Sequence, residues 1–291
     1  MLRFPPSRQW AFRNREGNRA FDFHLPRARP TTGVSAMVRV KNEGQKIEHC
    51  LRSILPMFDE IVVVDNASSD RTVSIVRDLI SAADPNGKIR LHSYPFSLAR
   101  FGPEHDETPS DSLHSAVYYT NWALSRCSRR YVCKWDGDMV LVREARDPFL
   151  RLLEQLRRKR NVAWSLAGQT VYRGLDGAFY EATGEINREV EIFPCSYRCR
   201  FAKARHWEQL TRPRTLRTRH FEPVCFYELK FVDEEEFAHW STTDWPSARK
   251  QREWENFHRV RESRTDDSFE RYKPTFLDDQ IPVLDSDRPS M

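Results

Sequence analysis

Tyr131-Val132-Cys133-Lys134-Trp135-Asp136-Gly137-Asp138-Met139-Val140-Leu141-Val142 is the stretch on which the fold turns. Tyr131 to Trp135 reads as a short buried strand that runs into two carboxylates separated only by Gly137. Along an extended chain residues i and i+2 project to one face, so Asp136 and Asp138 can address a single target. Like charges this close repel, and burying them unpaired is costly. A hard divalent cation removes that cost, because Mg or Mn takes oxygen ligands and can bridge to phosphate oxygens. Gly137 lets the backbone approach a ligand with no side chain in the way. A plain Asp-Gly turn is the competing reading.

The chain upstream has the rhythm of alternating strands and helices. Val34 to Val40 reads as a first strand, Lys41-Asn42-Glu43-Gly44 as a break, and Ile47, Cys50, Leu51, Ile54 and Leu55 as the inner face of a helix that ends before Pro56. Ile61-Val62-Val63-Val64 is a continuous β-branched run, as in a strand buried on both faces of a parallel sheet. It opens into the polar loop Asp65 to Thr72, where Asp70 can cap a helix carrying Val73, Val76, Leu79 and Ile80. Asp84-Pro85-Asn86-Gly87 then turns the chain into a strand at Lys88 to His92. This β-α-β-α-β order predicts a doubly wound α/β sheet with ligands beyond the carboxyl ends of its strands. Asn42-Glu43, Asp65 and the Asp136/Asp138 pair fall at such ends, and one shared cleft is expected.

Downstream, 96–112 reads as loop, Ser112 to Arg126 as a helix, and Asp147-Pro148 as the start of another. Strand-like pieces at 161–166, 170–173 and 188–193 are broken by glycines, 224–232 reads as a last strand, and 246–262 as a charged helix. The acidic run Asp233-Glu234-Glu235-Glu236 suits a solvated helix start. The predicted organisation is an N-terminal arm (1–33), a main domain (34–262, divided at 142/143 into two halves) and a C-terminal tail (263–291).

Composition narrows the class. A chain of 291 residues and 34.5 kDa can bury a full core. No apolar run approaches membrane-spanning length, and the N-terminus carries no signal-peptide core, so the expectation is a cytoplasmic protein. Six scattered cysteines (50, 127, 133, 195, 199 and 225) fit reduced thiols, and Cys195/Cys199 lack a second pair for zinc. Residues 1–33 hold seven Arg and two acids, which accounts for the whole net charge of +5. Those arginines are interleaved with Phe4, Trp10, Phe12, Phe21 and Phe23, as in an arm that meets the inner face of an anionic membrane or packs across the body. A disordered tail is the plain alternative. Nucleic acid is not expected as a partner, since the body offers no basic stripe.

Taken together these motifs resemble the family 2 glycosyltransferases of the GT-A fold, including bacterial lipopolysaccharide and polysaccharide enzymes. The resemblance rests on Asn42-Glu43, Ser53-Ile54, Glu60 to Asp65 with the loop to Thr72, Asn121, and Asp136-Gly137-Asp138 as the DxD motif. It implies a GT-A doubly wound, mixed and mainly parallel sheet flanked by helices. It also implies a nucleotide-sugar donor, with UDP the commonest, held by Val40, Asn42, Glu43, Asp65, Asn66, Ser68, Asn121, Asp136 and Gly137. The cofactor it implies is Mn or Mg on Asp138 and Asp136, completed by Glu228 or alternatively His220. The implied reaction is inverting transfer to a glycolipid or polysaccharide, with Glu208 of the stretch Arg205-His206-Trp207-Glu208 as catalytic base. A non-catalytic sugar-nucleotide or glycan-binding protein on the same fold is the alternative from another class, and a nucleotidyltransferase is the other enzymatic one.

Overall fold

The computed structural model describes residues 10–158, 161–240, 245 and 247–272. Arg3, Phe4 and Arg8 of the expected arm, and most of the expected tail, lie outside the described residues. The first half contains β1 (Trp10–Phe12), β2 (Phe23–Leu25), β3 (Val34–Val40), α1 (Ile47–Ile54), β4 (Glu60–Asp65), α2 (Thr72–Ala83) and β5 (Ile89–Ser93). Next come α3 (Pro103–Glu107), α4 (Ala116–Arg126), β6 (Tyr131–Asp136), β7 (Met139–Leu141) and α5 (Arg146–Arg158). The second half adds β8 (Val162–Arg173), β9 (Phe179–Pro194), β10 (Arg200–Lys203), β11 (Glu208–Thr211), β12 (Arg217–Phe231), α6 (Ala248–Arg261) and β13 (Phe269–Tyr272).

Among the described residues nine strands form one mixed sheet in the order β5-β4-β3-β6-β9-β8-β12-β7, with β13 added to β9. The β5-β4-β3-β6 half is parallel throughout, with the continuous apolar run of β4 buried within it. β9 runs antiparallel to both β6 and β8, while β8 and β12 are parallel. The register sets Arg39 opposite Asp136 and Val40 opposite Asp65, so the polar ends of three strands finish level. One core layer joins α1, α2 and α5 to the sheet around Trp135, Phe58 and Phe149, and the other packs α4 and β2 around Tyr94, Tyr118 and Trp122.

The expected breaks at Gly168 and Gly184 do not occur; β8 and β9 run straight through them. At Gly168 the reason is steric, since a Cβ there would collide with the ring of Phe226 on the neighbouring β12. The hairpin between β8 and β9 uses Gly174 and Gly177 instead, the latter at φ +77. The described part of the arm packs on the body: Phe12 stacks on Phe23, and Phe21 meets Tyr94, Phe96 and Trp122. All six cysteines are buried and free.

Candidate active site

A cavity of about 1560 Å³ lies beyond the carboxyl ends of β3 and β6 and is walled on its far side by β9, β11, β12 and α6. Val40, Asn42, Glu43, Asn66, Asp136, Gly137, Asp138, Glu208 and Glu228 all line it. Three expected residues do not. Asp65 is buried, accepts from Ser68 N–H, and lines a smaller neighbouring cavity of about 430 Å³. The Ser68 hydroxyl accepts from Asn42 N–H at 2.8 Å, which ties two loops together. Asn121 is buried in α4, where its amide bonds Phe201 N–H at 2.9 Å and Phe201 C=O at 2.8 Å and so anchors β10. Asn42 is itself a staple, sitting at φ +56 with Oδ1 accepting from Ser69 N–H at 2.8 Å. The N-cap of α2 is Arg71 rather than the expected Asp70; Asp70, just before it, accepts from Thr72 N–H at 2.9 Å and from Gly44 N–H at 2.8 Å. The close approach that Gly137 permits is to this loop: a Cβ there would sit 2.7 Å from Val40 Cγ1 and 3.1 Å from Glu43 Cγ.

Asp136 is held by Arg39 Nη2 at 2.9 Å and Lys134 Nζ at 3.0 Å. Burial alone would raise its pKa, but the two cations keep it below the usual carboxylate range. Arg39 reaches on to Glu208 Oε1 at 2.6 Å, and Thr120 Oγ1 donates to that oxygen at 3.2 Å. Lys134 also faces Glu191 at 3.8 Å. Glu191 lines the cavity, is 2% exposed, and its Oε2 has no hydrogen-bond partner among the described residues. Burial pushes its pKa up to about 8.

The second DxD carboxylate belongs to a different network. Lys230 Nζ lies 2.6 Å from Asp138, 2.9 Å from Glu228 and 2.8 Å from Glu236. Lys46 Nζ lies 3.0 Å from Glu43, 2.7 Å from Glu234 and 2.8 Å from Glu236. Lys250 at the start of α6 pairs with Glu253 at 2.9 Å. Burial and crowding push Asp138 and Glu43 upward, whereas Glu228 and Glu236, buried as they are, are held low by their lysines. The acidic run at 233–236 is therefore not a solvated helix start. It is a turn that points Glu234 and Glu236 at lysines and leaves Asp233 and Glu235 outside.

This arrangement bears on the divalent cation. Among the described residues no group of three His, Cys, Asp or Glu side chains is placed to hold a metal ion. Asp136 is occupied by Arg39 and Lys134, Asp138 and Glu228 by Lys230, and the alternative ligand His220 lies outside the cavity, bonded to Ser165 Oγ at 2.6 Å. The oxygens around Lys230 stand at ammonium distance, well beyond the roughly 2.0–2.1 Å that Mg requires. As arranged, these residues do not fit the cation.

The residues that sequence reading passed over are the cations: Arg39, Lys46, Lys134 and Lys230. Arg39 and Lys134 stand among apolar residues of β3 and β6, and Lys230 in the buried end of β12, and a cation in such a place must have an acidic partner nearby. That was the available signal. Glu191 carried the converse one, an acid in the buried run before Phe193.

Residues 35–100 match the family model described as Glycosyl transferase family 2. A curated relative, an uncharacterized glycosyltransferase of Rickettsia bellii (strain RML369-C), is 41% identical over 49 residues, and the match spans 17% of each chain. Among solved structures, mannosyltransferase PcManGT from Pyrobaculum calidifontis, in complex with GDP-Man and Mn2+, is 24% identical with a TM-score of 0.34, over 52% of this chain and 39% of that one. Glucosyl-3-phosphoglycerate synthase from Mycobacterium tuberculosis, in complex with Mn2+, UDP and phosphoglyceric acid, is 20% identical with a TM-score of 0.31, over 50% and 45%. S. aureus TarS 1-349 in complex with UDP is 18% identical with a TM-score of 0.30, over 50% and 36%. The chain thus spans less than half of each of these relatives. Among the described residues no helix is long and apolar enough to cross a membrane.

Proposed function

We propose that this chain is a glycosyltransferase that moves a sugar, with inversion, from a nucleotide-sugar donor to an acceptor hydroxyl. The observation that carries the reading is a coincidence of place. The family 2 segment supplies Arg39, Val40, Asn42, Glu43 and Asn66 to one wall of the large cavity, and Asp136-Gly137-Asp138 lies directly against it. Breaking a sugar–diphosphate bond builds negative charge on the leaving phosphate, and fixed positive groups in a sheltered site stabilise it. The cavity supplies Arg249, paired with the exposed Glu189 at 3.2 Å, at the N-terminus of α6.

Two carboxylates in the wall are available to take the acceptor proton, and they differ in what already holds them. Glu208 Oε1 is already engaged by Arg39 at 2.6 Å and by the Thr120 hydroxyl at 3.2 Å. Glu191 Oε2 has no hydrogen-bond partner among the described residues, and burial raises its pKa to about 8, so its ionised form is a strong base that becomes populated as pH rises toward 8. We assign Glu191 as the base and give Glu208 the task of orienting Arg39. An acceptor presented at an anionic membrane face, a glycolipid or polysaccharide, suits the exposed Arg13, Arg15, Arg19 and Arg27 of the arm.

The direct test is release of nucleoside diphosphate from UDP- and GDP-sugars, with Asp136→Asn as control. Release that depends on an added acceptor and falls in the variant supports transfer. Tight nucleotide binding with no turnover on any donor or acceptor would favour a sugar-nucleotide-binding protein instead.

A further inference from the structure

Resting on the donor-site reading above, we infer that the Lys230 ammonium occupies the place of the divalent cation at the second DxD carboxylate, so that nucleotide binding needs no metal. An ammonium has three N–H donors, and Lys230 directs them at three carboxylates, Asp138, Glu228 and Glu236, at 2.6, 2.9 and 2.8 Å. These come from three segments: the turn after β6, β12 itself, and the loop that follows β12. Gathering carboxylates from separate segments is what a bound cation does, and here the chain does it with its own side chain. Lys230 is 5% exposed, so it cannot step aside into solvent without breaking all three bonds. Lys46 repeats the device next door and shares Glu236 with Lys230.

The charge balance explains why a lysine serves here. Asp138, Glu228, Glu236 and Glu253 surround Lys230, and Lys250 neutralises the outer pair at 3.9 Å from Glu228 and 2.9 Å from Glu253. Without Lys230 the inner carboxylates would face one another in a buried site, which is strongly unfavourable. Removing this ammonium should therefore create a metal site, because the ligand set of a hard cation would remain with no counter-ion.

The experiment has two readouts on the full chain. Mn2+ binding is measured by electron paramagnetic resonance, with and without UDP and GDP, on the wild type and Lys230→Ala. Nucleotide affinity is measured by calorimetry in EDTA and in Mn2+. The expected result is no stoichiometric Mn2+ on the wild type, nucleotide affinity equal within about twofold in the two buffers, and Mn2+ binding gained in Lys230→Ala. Stoichiometric Mn2+ on the wild type, or nucleotide binding that disappears in EDTA, overturns the inference. If Lys230→Ala does not fold, the wild-type titrations still decide. If no nucleotide binds in either buffer, the donor-site reading fails, and the Mn2+ titration of the free protein judges Lys230 on its own.

Discussion

At Glu191 the cavity holds a carboxylate that burial keeps protonated at neutral pH. Its pKa rises from the ordinary 4.5 to about 8, so between those values the native state holds a proton that the unfolded chain has released. The contribution to stability therefore falls as pH rises through that window. Glu191→Gln keeps the shape and removes the titration. The expected outcome is a variant whose stability relative to wild type improves between pH 6 and pH 9 by on the order of 3 kcal/mol, read from urea unfolding at both values. The same substitution should cost about 10²-fold or more in turnover and abolish its rise toward pH 8, while nucleotide affinity holds. A variant as active as wild type across the profile would return the base role to Glu208. Both residues belong to the sequence Glu189 to Glu208, yet only the fold shows that one is clamped by Arg39 and the other is not.

The elements around the site depend on a few specific contacts. Glu60 at the start of β4 accepts from Ser35 Oγ at 2.5 Å, from Ser128 N at 2.8 Å and Oγ at 2.7 Å, and from Arg90, which joins β3, β4, β5 and the turn before β6. Burial opposes its ionisation, but these donors lower its pKa, so its stabilisation is complete above the ordinary carboxylate range and is lost as pH falls through it. Glu60→Gln should cost about 2–3 kcal/mol at pH 7 and progressively less in acid, a difference that denaturant midpoints would register. Equal destabilisation at pH 7 and in acid would show that the charge is irrelevant. In β8, Gly168→Ala should cost about 1–3 kcal/mol by displacing the Phe226 ring, with the loss visible in the thermal midpoint. An unchanged midpoint would mean that the ring yields freely. Sequence periodicity located α1, α2 and β3 to β6 because each buries its face locally. It misread β8 and β9 because the partner that needs Gly168 lies nearly 60 residues away on β12.

Across the whole molecule, the parallel half of the sheet was legible and the second half much less so. Strand ends bearing Asn42-Glu43 and Asp136-Gly137-Asp138 were placed together by β-α-β order alone. The lysine networks join α1, β6, β12 and the turn at 233–236, and no local pattern announces such pairings. Asp65 and Asn121 have donor-site spacing in the sequence, but in the fold they hold a loop and a strand.

The central claim, that the large cavity is a nucleotide-sugar donor site, is met most directly by a thermal-shift panel of UDP, GDP, CDP and ADP on wild type and Asp136→Asn. A nucleotide present at a hundred times its dissociation constant should stabilise by about 2.7 kcal/mol. The account predicts a shift of that order for one base, persisting in EDTA and lost or sharply reduced in the variant. No shift with any nucleotide, or one indifferent to Asp136, would contradict it.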